Sequence, residues 1–280
     1  MVPSLVVLLA VTAFPFLYNL WNSLHHVNLL QPGNEPFVGL RNYGQMFTNP
    51  DFLSSFAHTI GYTAVSVVIE LVAGIGLALL MHRTFRGRGL VRAAVLIPWA
   101  VPTVVSAMLW KTMFDPASGF VNMLLGFFHL PGSHTTWLAG TWTAWTAVLV
   151  ADAWKNTPFM AIVLLAGLQV IPGDVYEAAR VDGATAWQSF RKITLPLLRP
   201  ALAVALIFRT LSAFLIFDVI YIMTGGGPGN STETLSYLDW RAFLVNTDFG
   251  FGGAISMVLV VMALILAGVY VAVLRPQEGA

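Results

Sequence analysis

The segment IPGDVYEAARVDGATAWQSFRKITLPLLRP, Ile171–Pro200, decides the reading of this chain. It is the longest stretch with ordinary polar-helix chemistry in a sequence that is otherwise strongly apolar. Asp174 followed three residues later by Glu177 resembles a capping box with Asp174 as the N-cap. Ala178 and Ala179 favour helix and add almost no bulk. Asp182-Gly183 closes that helix, because Gly183 tolerates the left-handed conformation a C-terminal cap requires. A second helix start follows at Thr185, with Gln188 three residues on. Trp187, Phe190 and Ile193 then fall on one helical stripe. Pro196 and Pro200 are expected to stop this helix before the next apolar run. The pattern describes a knuckle of two short helices. Its small residues permit close approach of another protein, and its aromatic stripe needs something to bury against. An amphipathic helix on lipid headgroups, or one packed on the chain's own helices, satisfies the pattern equally.

What flanks the knuckle sets the class. The chain has 280 residues, of which 57% are hydrophobic and 10% charged. Soluble domains carry about a quarter charged residues. A soluble enzyme, a nucleic-acid binder and a disordered chain are excluded by that shortage of polar surface. The absence of cysteine removes disulfides, thiolate metal sites and a cysteine nucleophile. Crossing about 30 Å of hydrocarbon takes roughly 20 apolar residues. Six stretches qualify, near 3–24, 58–82, 92–114, 143–170, 200–223 and 252–274. They read as helices, since barrel strands alternate in ~10-residue segments and a run such as Ile255–Leu274 does not. The expected fold class is therefore all-α integral membrane, six transmembrane helices in one permease-like domain over residues 1–280. The first stretch lacks the basic start and the clean cleavage site of a signal peptide.

Basic residues set the orientation. Arg83, Arg86, Arg88, Arg92, Arg180, Arg191, Lys192, Arg199 and Arg275 fall on one side, against Arg41 and Arg241 on the other. Both termini and the 171–200 loop are thus expected in the cytoplasm. Loops 25–57, 115–142 and 224–251 are expected outside, with turn chemistry at Gln31-Pro32-Gly33-Asn34, Asp115-Pro116 and Gly225–Gly229.

Charges within spans are costly and face a cavity or a partner. Glu70 lies in the second stretch, Asp152 and Lys155 share a face of the fourth, and Arg209 and Asp218 lie in the fifth. Ion pairing between helices is one reading. The other is a ligand cavity, in which Asp152, Lys155, Asn156 and Asp218 supply polar groups and Trp154, Phe159, Phe214 and Phe217 supply stacking faces. Pro98, Pro102 and Pro158 are expected to kink their helices. Gly225–Gly229 lacks the lysine and hydroxyl of a phosphate loop, so no nucleotide site is read here. No zinc-type histidine spacing and no catalytic constellation is present.

Glu177-Ala178-Ala179, Asp182-Gly183-Ala184, Phe190, Ile193, Leu195-Pro196 and Pro200 together resemble the EAA loop of the membrane subunits of binding-protein-dependent ABC importers. Asn42-Tyr43, Phe47, Phe52 and Thr59 are similar to the entry to span two of the sugar-type permeases. Trp154–Phe159 and Ala166–Gln169 are similar to span four, and Phe217-Asp218, Thr224–Pro228 and Ser231–Thr234 to the last outside loop. The resemblance covers about residues 38–275. It is densest for the first permease of di- and oligosaccharide or glycerol-phosphate importers, the class of the maltose F-type and trehalose A-type permeases. The six spans are expected to match the shorter members of that class, which do not have the long extra N-terminal region of the maltose type.

The resemblance implies a multi-pass subunit of the bacterial plasma membrane that moves a sugar inward. It assigns Glu177, Ala178, Ala179, Asp182, Gly183, Ala184, Trp187 and Phe190 to a coupling helix docked in a cytoplasmic ATPase. It implies two such ATPases, which carry the ATP and magnesium, so that this chain holds no cofactor and is not itself an enzyme. It further implies a second homologous permease and an external substrate-binding protein or lipoprotein. The rival reading is an ion-coupled secondary transporter using Glu70 or Asp152 as the carrier. Such folds show internal inverted repeats, which this chain lacks.

Overall fold

The structure, a computed structural model, describes residues 2–31, 33 and 35–274. Pro32, Asn34 and Arg275 of the sequence reading lie outside the described residues. Helix α1 covers Val2–Ser23, α2 Arg41–Thr48 and α3 Pro50–His82. Then come α4 (Arg88–Ala100), α5 (Thr103–Met113), α6 (Phe120–Phe127) and α7 (Thr141–Val170). The knuckle follows as α8 (Gly173–Val181), α9 (Ala186–Ser189) and α10 (Leu195–Leu197). The chain closes with α11 (Arg199–Phe214), α12 (Asp218–Met223), α13 (Leu235–Trp240) and α14 (Phe249–Leu274). Among the described residues, α3, α7 and α14 are individually long and apolar enough to cross a membrane. Two bent pairs, α4 with α5 and Ala186–Leu197 with α11, raise that number to five if each is one span.

Local chemistry explains most boundaries. Helix α3 starts eight residues before the expected position, because Asn49 caps it, accepting from the Asp51 amide at 2.8 Å, and Pro50 occupies the first turn. Its 33 residues span about 50 Å, more than the hydrocarbon thickness, and its N-terminal end carries the segment that follows α12. The third stretch is not one continuous helix. It breaks by 92° at Val101-Pro102, where Pro102 lacks the amide that would continue α4. The fifth stretch also breaks: α11 ends at Phe214, and α12 restarts at Asp218. Pro98 sits in the last turns of α4 and Pro158 inside α7, which stays one helix through it.

The helices pack on small residues, as expected where lipid supplies no hydrophobic drive between them. The most extensive pairing is α3 on α7. At Gly74 a Cβ would lie 2.8 Å from that of Met160, so only glycine permits this approach. Ala78, Met81, Met160, Leu164, Leu168, Leu198 and Ala205 form one cluster of the core; Tyr62, Val67, Ala107, Phe114, Val148, Ala213 and Ile220 form a second. A third, with Met46, Phe52, Phe214, Leu235 and Ile255, joins α2 and α13 to the bundle. Large apolar side chains such as Phe14, Val72 and Leu264 face outward, the reverse of a soluble fold.

The segment after α12 is tied down on α3. The Leu235 amide donates to Thr59 Oγ1 at 2.8 Å, His58 bonds the Glu233 carbonyl at 3.0 Å, and Arg241 reaches Asp51 at 2.6 Å and Glu233 at 3.0 Å. Burial pushes the carboxyl of Glu233 up to about 7, against the lowering effect of Arg241. Asp239 is likewise pushed up to about 7 by burial; its partner is the neutral Ser256 hydroxyl at 2.9 Å.

Candidate functional site

The knuckle is built from backbone caps. Helix α8 begins at Gly173, two residues earlier than expected, with Pro172 before it. Asp174 is therefore not the N-cap: it sits in the first turn, where its charge complements the helix dipole. The C-terminus is a complete Schellman motif. The Ala184 amide bonds the Ala179 carbonyl at 2.9 Å, and the Gly183 amide bonds that of Arg180 at 3.1 Å. Gly183 has φ +76°, which a side chain adopts only at a cost of about 1–2 kcal/mol. The capping box at Thr185 is present in both halves: Thr185 amide to Gln188 Oε1 at 2.7 Å, Gln188 amide to Thr185 Oγ1 at 3.3 Å.

Pro196 does not end the second helix. A π-helical turn over Phe190–Thr194 precedes it, with the Leu195 amide reaching the Phe190 carbonyl, and the helix runs on to Leu197. The shifted bonding accommodates the missing proline amide. The chain then turns 69° into α11, with Pro200 in its tolerant first turn. The Tyr176 and Thr194 hydroxyls, 3.0 Å apart, pin α8 to this helix.

The resulting surface is open. Glu177, Ala178, Asp182 and Gly183 are exposed, Ala184 and Phe190 half-buried, and Ala179 is buried against the chain. Val181 is 87% and Trp187 68% exposed. The Trp187 and Phe190 rings pack at 5.5 Å. Among the described residues the Glu177 side chain has no hydrogen-bond or ion-pair partner.

The second candidate region lies in the bundle. A cavity of about 260 Å³ is lined by Thr103, Asp152, Lys155, Asn156, Arg209, Ser212, Leu215–Asp218 and Val219. It brings together Asp152, Lys155, Asn156, Phe217 and Asp218 of the sequence-derived set. Phe214 is elsewhere, fully buried with Met46 and Phe52. Trp154 stands edge-on to Trp110, and Phe159 packs between Trp99 and Phe208.

Buried charge forms one wall of the cavity. Arg209 on α11 bonds both carboxylate oxygens of Glu70 on α3 and also Asp152 on α7. Asp152 further accepts from Tyr62 and, at 2.7 Å, from Asn156. Arg209, Glu70 and Asp152 are all at least 96% buried. Three helices are thus joined at one guanidinium. Lys155 does not pair with Asp152, despite their shared face. Its ammonium donates to the Val101 carbonyl at 2.5 Å and reaches the Trp99 carbonyl at 3.5 Å. Those carbonyls are left free by the α4–α5 break, at the negative end of the α4 dipole. The sequence reading overlooked Tyr62, Thr103 and Ser212. Tyr62, Ser66 and Glu70, at four-residue intervals, were the legible sign of a polar stripe on α3.

A bundle of outward-apolar helices around a polar cavity, with a capped, exposed knuckle between two spanning helices, is the architecture of a membrane transport subunit. Residues 70–275 match the family model described as binding-protein-dependent transport system inner membrane component, and the chain belongs to that family. It is 44% identical over 273 residues to the trehalose/maltose transport system permease protein MalF of Thermococcus litoralis, covering 98% of this chain and 91% of that one. It is 42% identical to the trehalose transport system permease protein SugA of Mycobacterium tuberculosis, covering 96% and 85%. The sulfoquinovosyl glycerol transport system permease protein SmoG of Agrobacterium fabrum is 36% identical, over 99% and 89%. The fold matches a bacterial alginate ABC transporter crystallised with an alginate-bound periplasmic protein, with a TM-score of 0.84, 24% identity, and coverage of 98% and 92%.

Proposed function

We propose that this chain is one permease subunit of an ATP-driven importer that carries a di- or oligosaccharide, of the trehalose or maltose kind, into the cytoplasm. The exposed Schellman-capped knuckle within the family match carries the reading. Its unpartnered Glu177 and bare Val181 and Trp187 form a surface for a cytoplasmic ATPase, with Glu177 facing a basic residue there. Trehalose is named for relatives at 42–44% identity over nearly the whole chain. The chain crosses the membrane six times: α1 adds a 22-residue helix to the five spans counted above. The basic-residue bias places both termini and the knuckle in the cytoplasm.

A second permease completes the cavity, and an external binding protein delivers sugar to the outer segments. Closure of two ATP-loaded ATPases moves the knuckle, and the elbows at α4–α5 and α10–α11 pass that motion to the cavity wall. ATP and magnesium reside on the ATPases. The test is reconstitution of the chain with its co-purifying subunits in vesicles. Trehalose or maltose uptake that requires ATP and is abolished by Gly183→Asp at unchanged abundance supports the reading. Uptake by this chain alone, driven by a proton or sodium gradient, refutes it.

A further inference from the structure

The charges lining the cavity are not equally available to a ligand. Four ionisable side chains line it: Asp152, Lys155, Arg209 and Asp218. Arg209 is spent on two carboxylates, Glu70 and Asp152, and is buried with them. Asp152 takes two further donors, Tyr62 and Asn156. Lys155 is 8% exposed and is held by the Val101 and Trp99 carbonyls. Asp218 differs from all three. It is exposed, and among the described residues its carboxylate has neither a hydrogen-bond nor an ion-pair partner. It opens α12 directly after the Leu215–Phe217 break, beside Phe217, whose ring packs with Tyr221, Tyr237 and Trp240 at 5.3–6.3 Å. The charge left free for an incoming ligand is therefore a bare carboxylate next to aromatic faces, while both cations of the lining are held by partners of their own.

We propose that Asp218 makes the cavity a filter for uncharged polyhydroxylated ligands, admitting neutral sugars and rejecting sulfonated, phosphorylated or carboxylated ones. The inference rests on the carbohydrate reading above and fixes the charge class within it. A carboxylate accepts from adjacent ligand hydroxyls. The same group repels an anion within a few ångströms in a partly dehydrated site, by about tenfold or more in affinity. The charge class is not given by kinship, since relatives are named for trehalose and maltose on one hand and for sulfoquinovosyl glycerol on the other.

The chain has no cysteine, so Ser212→Cys gives it a single thiol, whose modification in the purified transporter is read on this chain alone by mass spectrometry. Its rates of modification by a cationic and an anionic methanethiosulfonate are compared, each relative to a free thiol. The cationic reagent is expected to be favoured about tenfold or more, and Asp218→Asn is expected to remove most of that preference. Protection is then measured with trehalose or maltose and with a disaccharide carrying one uronate. The neutral sugar should protect at about tenfold lower concentration, and Asp218→Asn should close the gap. An unchanged reagent preference in Asp218→Asn, or equal protection by the two sugars with Asp218 present, overturns the filter. Protection by neither sugar, with the reagent preference intact, overturns the carbohydrate reading instead.

Discussion

Replacing Arg209 with Met keeps the unbranched stem and most of the volume of the side chain but removes the cation that, among the described residues, Glu70 and Asp152 share. Glu70 then loses both of its hydrogen bonds, while Asp152 keeps Tyr62 and Asn156. Glu70 is fully buried and Asp152 is 4% exposed, so neither can turn to water. Breaking a buried ion pair in this way costs about 3–5 kcal/mol. Two carboxylates are stranded rather than one, which places Arg209→Met at the upper end. For a chain of this size that corresponds to a fall in unfolding temperature on the order of ten degrees. The nine tryptophans allow unfolding in detergent to be followed by intrinsic fluorescence. The triple variant Glu70→Gln, Asp152→Asn, Arg209→Met carries no stranded charge and should recover most of the loss, because well-packed neutral groups often replace a buried pair at little cost. An Arg209→Met protein as stable as the parent would refute the joint as described. So would a triple variant less stable than the single one.

The remaining predictions concern the elbow, the knuckle and the outer segment. Lys155→Met strands the Val101 and Trp99 carbonyls and should cost about 1.5–3 kcal/mol, with partial recovery in Lys155→Arg, read from the same unfolding curves. Gly183→Ala meets no neighbour but forces a left-handed backbone, so it should cost about 1–2 kcal/mol and weaken coupling, measured as sugar moved per ATP hydrolysed. Asp239 is raised by burial from 3.8 to about 7 and Glu233 from 4.5 to about 7. The folded state holds those protons more tightly than the unfolded state, so stability should fall as pH rises from about 4 to about 7 and level off above. Asp239→Asn should flatten that slope and raise stability at pH 8, checked by unfolding across a pH series; a slope unchanged by this variant and by Glu233→Gln would refute the assignment.

What could be read in the sequence follows the physics of each feature. Lipid demands long apolar helices, so α3, α7 and α14 were legible within eight residues at their ends. Caps are local, so the left-handed Gly183 and the Thr185–Gln188 box appeared as expected. The elbows were not legible to that degree. Pro98, Pro102, Pro158 and Pro196 look alike in sequence, yet Pro102 stands in the 92° break and Pro196 two residues before the 69° turn, whereas Pro98 and Pro158 lie inside helices that run on past them. Charge pairing was the least legible. Asp152 and Lys155 share a face, but Lys155 turns to carbonyls exposed by a break 54 residues away in the chain. Phe214 and Phe217 both looked like ligand faces; the end of α11 between them sends one into the core and the other to the cavity.

The account stands or falls on what meets the knuckle. The direct test is gentle purification of the tagged chain from its native membrane, with Trp187→Cys carrying a photocrosslinker and mass spectrometry of the adduct. The account predicts a crosslink to a cytoplasmic ATPase, with a second permease in the same complex. A chain that purifies alone, leaves Trp187→Cys uncrosslinked and carries sugar in vesicles without ATP would contradict it.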